Sequence, residues 1–358
     1  IARDLPTCFL EGYAGLRAAA ARIGRYPAAV LSANAWHYDE PFKRWAADAA
    51  AAGAQLLGIQ HGGNYGIDAR SASEDHETSV TDVFYTWGWT RAGVHARTVP
   101  MPAPKLLGRR AWRPERSRRG VLFVTTSMPI YPMQLDFGPE RFERYLERQR
   151  RFLVALPQQL LGSFRVRPHR RSMGWEMAER IAGARAGVRI ESWDVPFDAS
   201  LEACRLFVCD HLSTTFAESL AANHPTVLFW DPADTPIRET AREVFDDLRA
   251  SGVLLDDPES AAHTVSAAYD DVESWWRRPD RVRAVVILDA GTNLGDVIRE
   301  ANQRLEPHQK IRGAAVWPGA QLPRTDATGK IKRLAVLEWL ERGGGQESAQ
   351  PSKPAQNP

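Results

Sequence analysis

RLFVCDHLSTTFAESLAANHPTVLFW, residues 205–230, holds the pattern that decides the fold. A short apolar run ends at Asp210, a polar turn with Ser213, Thr214 and Thr215 follows, a helix is predicted from about 214 to 222, and PTVLFW (225–230) is again unbroken and apolar. Strands without polar alternation are covered on both faces, and a helix between two of them is the crossover of a parallel sheet. The same unit extends in both directions. VLFVTTS (121–127), a helix over 138–160, FRVRP (164–168), a helix near 173–183 and VRIESW (188–193) come before it. A helix over 235–250, GVLLDD (252–257) and a helix near 259–274 come after.

Residues 120–280 therefore read as one Rossmann-like domain. The first hundred residues repeat the pattern, with an Ala-rich helix around 11–23, AAVLS (28–32), a helix over 41–53, QLLGIQ (55–60) and VFYTWG (83–88). The expectation is a first Rossmann-like domain over 1–105, and because the chain starts at Ile1 rather than Met, one truncated at its start. The Pro- and Arg-rich residues 106–119 read as an exposed linker. The fold class expected is α/β, with two Rossmann-like domains facing a cleft and a small α+β segment at the C-terminus. GGGQESAQPSKPAQNP (343–358) has almost no apolar content and is expected to be disordered.

With 358 residues, 44% hydrophobic and 25% charged, the chain has enough apolar content for two cores. Its net charge of +2, from 46 basic against 44 acidic residues, is no footprint of nucleic-acid binding. Cys8, Cys204 and Cys209 lack metal-ligand spacing and read as reduced, buried thiols. No apolar run approaches the roughly 18 residues of a membrane span, and no signal peptide is visible. A cytoplasmic protein is expected, with peripheral membrane association left open.

Three segments carry candidate chemistry. After QLLGIQ come Gln60, His61, Gly62, Gly63 and Asn64, at the strand end where open α/β sheets bind ligands. Glycines there let a substrate approach the backbone, His61 is placed as a base, and Glu77 is near enough in sequence to orient it or to accept a proton itself. The alternative is a tight turn with a solvated histidine. In FRVRPHRR, Arg165 and Arg167 share one face of a strand, where guanidinium forks grip a diphosphate, unless the segment is only a solvated basic loop. At the start of the helix bearing Glu218, the hydroxyls of Ser213, Thr214 and Thr215 and the free N–H groups suit a phosphate, the plainer reading being a simple N-cap. No Asp-x-Asp pair ends a strand, so no metal ligands are assigned. Trp275 and Trp276 are expected to pack between domains.

QHGGNYG (60–66), EDHETSVTDVFYTWGW (74–89), RPHRRSMGW (167–175) and DHLSTTFAESLAANHPTV (210–227) together resemble a family of bacterial surface-carbohydrate transferases, first labelled from a spirochaete protein and associated with O-antigen-type loci. The resemblance runs over about residues 1–280. That family looks related to glycosyltransferases of the two-domain GT-B architecture, and more loosely to polysialyl and glycerophosphate transferases that use CMP or CDP donors. It implies that His61 is the His-Gly histidine of the first domain and that Arg167, Ser213, Thr214 and Glu218 stand on the donor side.

A second resemblance is shorter. LPRTDATGKIKR (322–333) is similar to the closing motif of adenylate-forming enzymes of the acyl-CoA synthetase kind, in which the lysine matching Lys330 contacts the acyl adenylate. It implies that residues 284–342 are the C-terminal segment of such an enzyme, without the phosphate loop or adenine site. The leading reading is an inverting, metal-independent transferase that moves a sugar, or a sugar or polyol phosphate, from a nucleotide-linked donor of the CMP, CDP, UDP or GDP type to a carbohydrate acceptor, with no tightly bound cofactor. The alternatives are an acyl or aryl acid adenylating ligase and a non-catalytic fused or truncated product.

Overall fold

Short parallel strands build two separate sheets in the computed structural model, which describes residues 5–106, 112–113, 118–130, 138–171 and 173–277. Ile1–Val282 group as one compact unit, so both sheets belong to a single body.

In the first half, β1 (Ala29–Ser32), β2 (Gln55–Ile59), β3 (Val83–Thr86) and β4 (Arg97–Pro100) lie side by side in chain order. Helix α1 (Tyr13–Ala21) precedes β1, α2 (Ala35–Tyr38) and α3 (Glu40–Ala51) lead into β2, and α4 (Ala72–Val80) connects β2 to β3. Asp39 caps α3 by accepting from the Phe42 amide at 2.9 Å, and Pro41 in the first turn forfeits only an N–H that has no helical partner. The apolar stripe of α3, Trp45, Ala46 and Ala49, packs with Ala20, Val30 and Trp36 into a small core. Ser71 accepts from the Glu74 amide at the start of α4.

The second half carries β5 (Val121–Val124), β6 (Phe164–Arg167), β7 (Arg189–Ile190), β8 (Leu206–Cys209), β9 (Thr226–Phe229) and β10 (Leu254–Leu255). Their order is β10-β9-β8-β5-β6-β7, all parallel. The chain enters at the middle, runs out to one edge and returns to fill the other side, the doubly wound Rossmann order, so a switch point lies between β5 and β8. The connecting helices are α5 (Pro139–Ala155), α6 (Gln158–Leu161), α7 (Met177–Ala184), α8 (Phe197–Ala203), α9 (Thr214–Ala221), α10 (Glu239–Ala250), α11 (Pro258–Tyr269) and α12 (Val272–Trp276).

Both faces of this sheet are covered, as the unbroken apolar strands predict. Val121, Phe123, Phe164 and Val166 pack under α5 with Phe152 and Leu153, while Leu122 and Val124 face Leu201, Phe216 and Phe245 on the other side. Burying each such side chain stabilises the fold by roughly 1.5–3 kcal/mol. The helix expected over 138–160 divides at Pro157, which has no N–H to donate and holds Leu156 extended (ψ 135°).

Two expectations need correction. The segment read as an exposed linker is partly anchored: Trp112 is buried in the second core and its amide donates to the Ala222 carbonyl at 2.7 Å, and Arg118 is buried as well. Trp276 does not plug an interdomain gap but sits in the core of the second half, its indole N–H donating to the Asn223 backbone and side chain at 3.0 Å. Cys204 and Cys209 are buried and free, and burial pushes the Cys204 thiol up to about 12. No helix among the described residues is long and apolar enough to cross a membrane. The C-terminal segment and Lys330 lie outside the described residues.

Candidate active site

The two halves meet through residues that follow strand ends. Gly63, after β2, donates its amide to the Thr214 hydroxyl at the start of α9 (3.1 Å). A Cβ at position 63 would stand 2.4 Å from the Ser213 carbonyl oxygen and 2.7 Å from Thr214 Cα, so only glycine permits this approach. Beside it, the Arg238 amide donates to the Ile67 carbonyl at 2.8 Å and the Ala69 amide to the Pro236 carbonyl at 3.0 Å, a two-rung antiparallel bridge. An ion pair reinforces the bridge. Glu74, fully buried, accepts from Arg238 of the second half (2.9 Å) and from Arg91 (2.8 Å) and the Gly66 amide (2.7 Å) of its own.

These contacts enclose a cleft of about 510 Å³. The second half lines it with Thr126 to Pro129 after β5 and Asp210 to Leu212 after β8, the two loops that diverge at the switch point. Arg141, Tyr145 and Arg148 project from α5, at positions three and four apart on one helical face. The first half contributes His37, Tyr38, Asn64, Asp68 and Arg70.

Asp210 organises the floor. Its buried carboxylate accepts from the Tyr145 hydroxyl (2.9 Å), the Gln149 amide (2.8 Å) and His211 Nδ1 (2.9 Å). Burial works against charge on His211, but the Cys209 sulfur and the Asp210 carboxylate outweigh it and raise the imidazole to about 10. Arg144 and Arg148 are held by Asp234 at 2.8 and 2.6 Å. Arg70 has no ion-pair partner among the described residues. Burial, the neighbouring His76 and Lys43 all lower the pKa of His37, which leaves a neutral ring on the cleft wall.

The residues singled out in the sequence fall into three groups. His61 is exposed in the loop that also carries Gly62, Gly63 and Asn64, and of these Asn64 lines the cleft. The pKa of His61 is lowered by desolvation of its ring, opposed by a hydrogen bond with the Ala33 backbone and assisted by His37. Tyr65 separates it from Glu77: the phenol donates to Glu77 Oε2 at 3.0 Å, and its oxygen is 3.5 Å from either ring nitrogen of His61. Glu77 is fully buried, so it neither contacts the imidazole directly nor reaches a substrate, which corrects its assignment as a proton acceptor.

The second group is the arginine pair. Parity puts Arg165 and Arg167 on one face of β6, but that face is opposite to α5 and points toward α8. Both guanidinium groups bind Glu191 at 2.9 Å, and Arg167, 2% exposed, also lies over the Trp193 ring at 4.3 Å. Neither lines the cleft, so the diphosphate grip read from FRVRP is replaced by a buried ion pair.

The third group is the start of α9. Ser213 accepts from the Thr215 amide and bonds its hydroxyl at 2.6 Å, and Thr214 accepts from Gly63, so the hydroxyls are occupied by a cap and a domain contact rather than open as a phosphate cup. Glu218, 1% exposed, pairs with Lys105 at 2.8 Å. What the sequence reading missed is the lining itself: His37, Arg70, Arg141, Tyr145, Arg148 and the Asp210–His211 pair. The helical spacing of 141, 145 and 148, and the position of Asp210–His211 directly after a strand, were the available signals.

Two parallel α/β halves closed over a cleft at their strand ends define a two-domain Rossmann-like protein. The chain belongs to the LIC12162 family of transferases, whose family model matches residues 1–290. Lys330 lies beyond that match. Among solved structures the chain is similar to MurG of Acinetobacter baumannii (12% identity over 74% of this chain and 71% of that one, TM-score 0.37). It is also similar to the spinosyn rhamnosyltransferase SpnG complexed with spinosyn aglycone (16%, 76% and 70%, TM-score 0.36) and to the spinosyn forosaminyltransferase SpnP (16%, 64% and 64%, TM-score 0.34). At such scores the likeness is loose. No curated protein matches the sequence.

Proposed function

We propose that this transferase moves a sugar, or a sugar or polyol phosphate, from a nucleotide-linked donor to a carbohydrate acceptor of a surface polysaccharide of the O-antigen kind. The observation that carries the proposal is the position of the cleft. It opens at the switch point of a doubly wound sheet, where such folds take nucleotides, and Arg70, Arg141, Arg148 and His211 supply positive charge there.

In this reading the donor phosphate lies against the second half, and the acceptor enters from the side of His37, Tyr38 and Asn64. His61 takes the proton of the acceptor hydroxyl, its ring neutral because its pKa is held below the ordinary histidine value. Tyr65 and Glu77 stand behind the ring and restrict its orientation. The site works in the cytoplasm, where nucleotide-linked donors are made, with peripheral attachment to a membrane that carries the acceptor.

Thermal shifts with CMP, CDP, UDP, GDP and ATP test the donor class, since a ligand that binds only the folded state raises its stability by mass action. A rise with a pyrimidine or guanine nucleotide, absent in Arg70→Ala, is the expected result. A rise with ATP alone, or with none of the five, counts against it. His61→Ala is expected to abolish transfer while keeping the nucleotide shift, and normal turnover by that variant would remove His61 in favour of His37.

A further inference from the structure

We propose that His211, oriented by Asp210, is the fixed cation that meets the departing phosphate of the donor. The proposal rests on the nucleotide-donor reading above. Three features of the floor support it.

The first is orientation. Both carboxylate oxygens of Asp210 are fixed, one by the Tyr145 hydroxyl and the other by the Gln149 amide, and the first also takes His211 Nδ1 at 2.9 Å. A ring held through Nδ1 cannot swing away, and Nε2 is left without a protein partner among the described residues. The second is position. His211 follows β8 and lines the same cleft as Thr126 and Ser127 after β5, so it stands at the switch point between those two strands, where such folds bind phosphates. The third is availability. Arg148 is tied to Asp234 at 2.6 Å and Arg144 to the same carboxylate, whereas Nε2 has its N–H to give.

The transfer step balances with no further reactant. In sugar transfer the acceptor oxygen bonds to the donor carbon as the bond from that carbon to the phosphate oxygen breaks, and in phosphate-ester transfer it bonds to the donor phosphorus as the P–O bond to the departing nucleotide breaks; in both the electron pair goes to an oxygen of the departing phosphate. The acceptor proton goes to His61. Nε2–H hydrogen-bonds to the oxygen that receives the pair and keeps its proton, because the Asp210 carboxylate on Nδ1, 2.9 Å away, favours the charged ring. His211 thus acts by electrostatic stabilisation, not as a general acid.

The test compares His211→Ala and His211→Gln with the wild type in turnover, nucleotide thermal shift and ligand-free melting. Turnover is expected to fall about 100-fold or more in His211→Ala, the loss typical of a missing transition-state donor, and less in His211→Gln, which keeps an N–H but not the charge. Imidazole in the buffer is expected to restore part of the activity of His211→Ala, which a purely structural defect would not show. If His211→Ala fails to fold, the nearly isosteric His211→Gln carries the test. Turnover within threefold of wild type in a folded variant overturns the assignment. A wild-type protein that neither binds nor turns over any nucleotide-linked donor overturns the donor reading instead.

Discussion

Glu77 is buried with no ion-pair partner among the described residues, and its one bonded oxygen accepts from Tyr65. Burial raises its pKa to about 8, opposed by that hydrogen bond and assisted by the nearby Glu74. The folded state therefore holds this proton more tightly than the unfolded chain, and stability is lost as pH rises from about 4.5 through 8. A pKa unit corresponds to about 1.4 kcal/mol, so the full loss is at most about 5 kcal/mol. Glu77→Gln is expected to flatten the fall of melting temperature between pH 5 and 8, and an unchanged slope would show that Glu77 is ionised throughout. At this scale the sequence showed residue types more clearly than surroundings. It marked His61 and Glu77 as neighbours, but the phenol between them depends on how α4 packs under β3, which local spacing does not encode.

Strand β6 shows what an element reveals and what it conceals. Alternation correctly places Arg165 and Arg167 on one face, but which face meets the cleft depends on the winding of the whole sheet. With Glu191 satisfied by both, Arg167→Met leaves a buried carboxylate half-paired and is expected to cost about 3 kcal/mol in denaturant unfolding. Its nucleotide shift is expected to match the wild type, and a lost shift would return Arg167 to the donor site. Helix α4 was legible but overlooked: Ser71 and Glu74 have capping-box spacing in RSASEDHE, masked by the attraction of an acidic cluster with a histidine. The central strands of the second sheet were the easiest to read, because burial on both faces leaves no polar interruption. The two-residue strands β7 and β10 were overextended for the opposite reason, since edge strands end where their neighbours do.

Across the whole molecule, two sheets and a cleft followed from the βα alternation, but the seam between them did not. It depends on Gly63 against Thr214 and on Ile67 to Ala69 against Pro236 to Arg238, pairs separated by 151 residues in one case and about 170 in the other. Gly63→Ala is expected to destabilise the protein by about 1–3 kcal/mol, as overpacking does, and to weaken the nucleotide shift. Unchanged melting would mean that the seam relaxes freely. The resemblance over 1–280 anticipated the family, whose match ends at residue 290.

The buried Glu74 accepts from arginines of both halves, and this has a calorimetric consequence. If the second half melted first, Glu74 would lose Arg238 and keep only Arg91 and the Gly66 amide of its own half, a penalty of about 3–5 kcal/mol. Two hydrophobic cores should therefore melt as one cooperative transition, with a single heat-absorption peak whose van't Hoff and calorimetric enthalpies agree. Glu74→Gln, by relaxing that constraint, should split the peak in two.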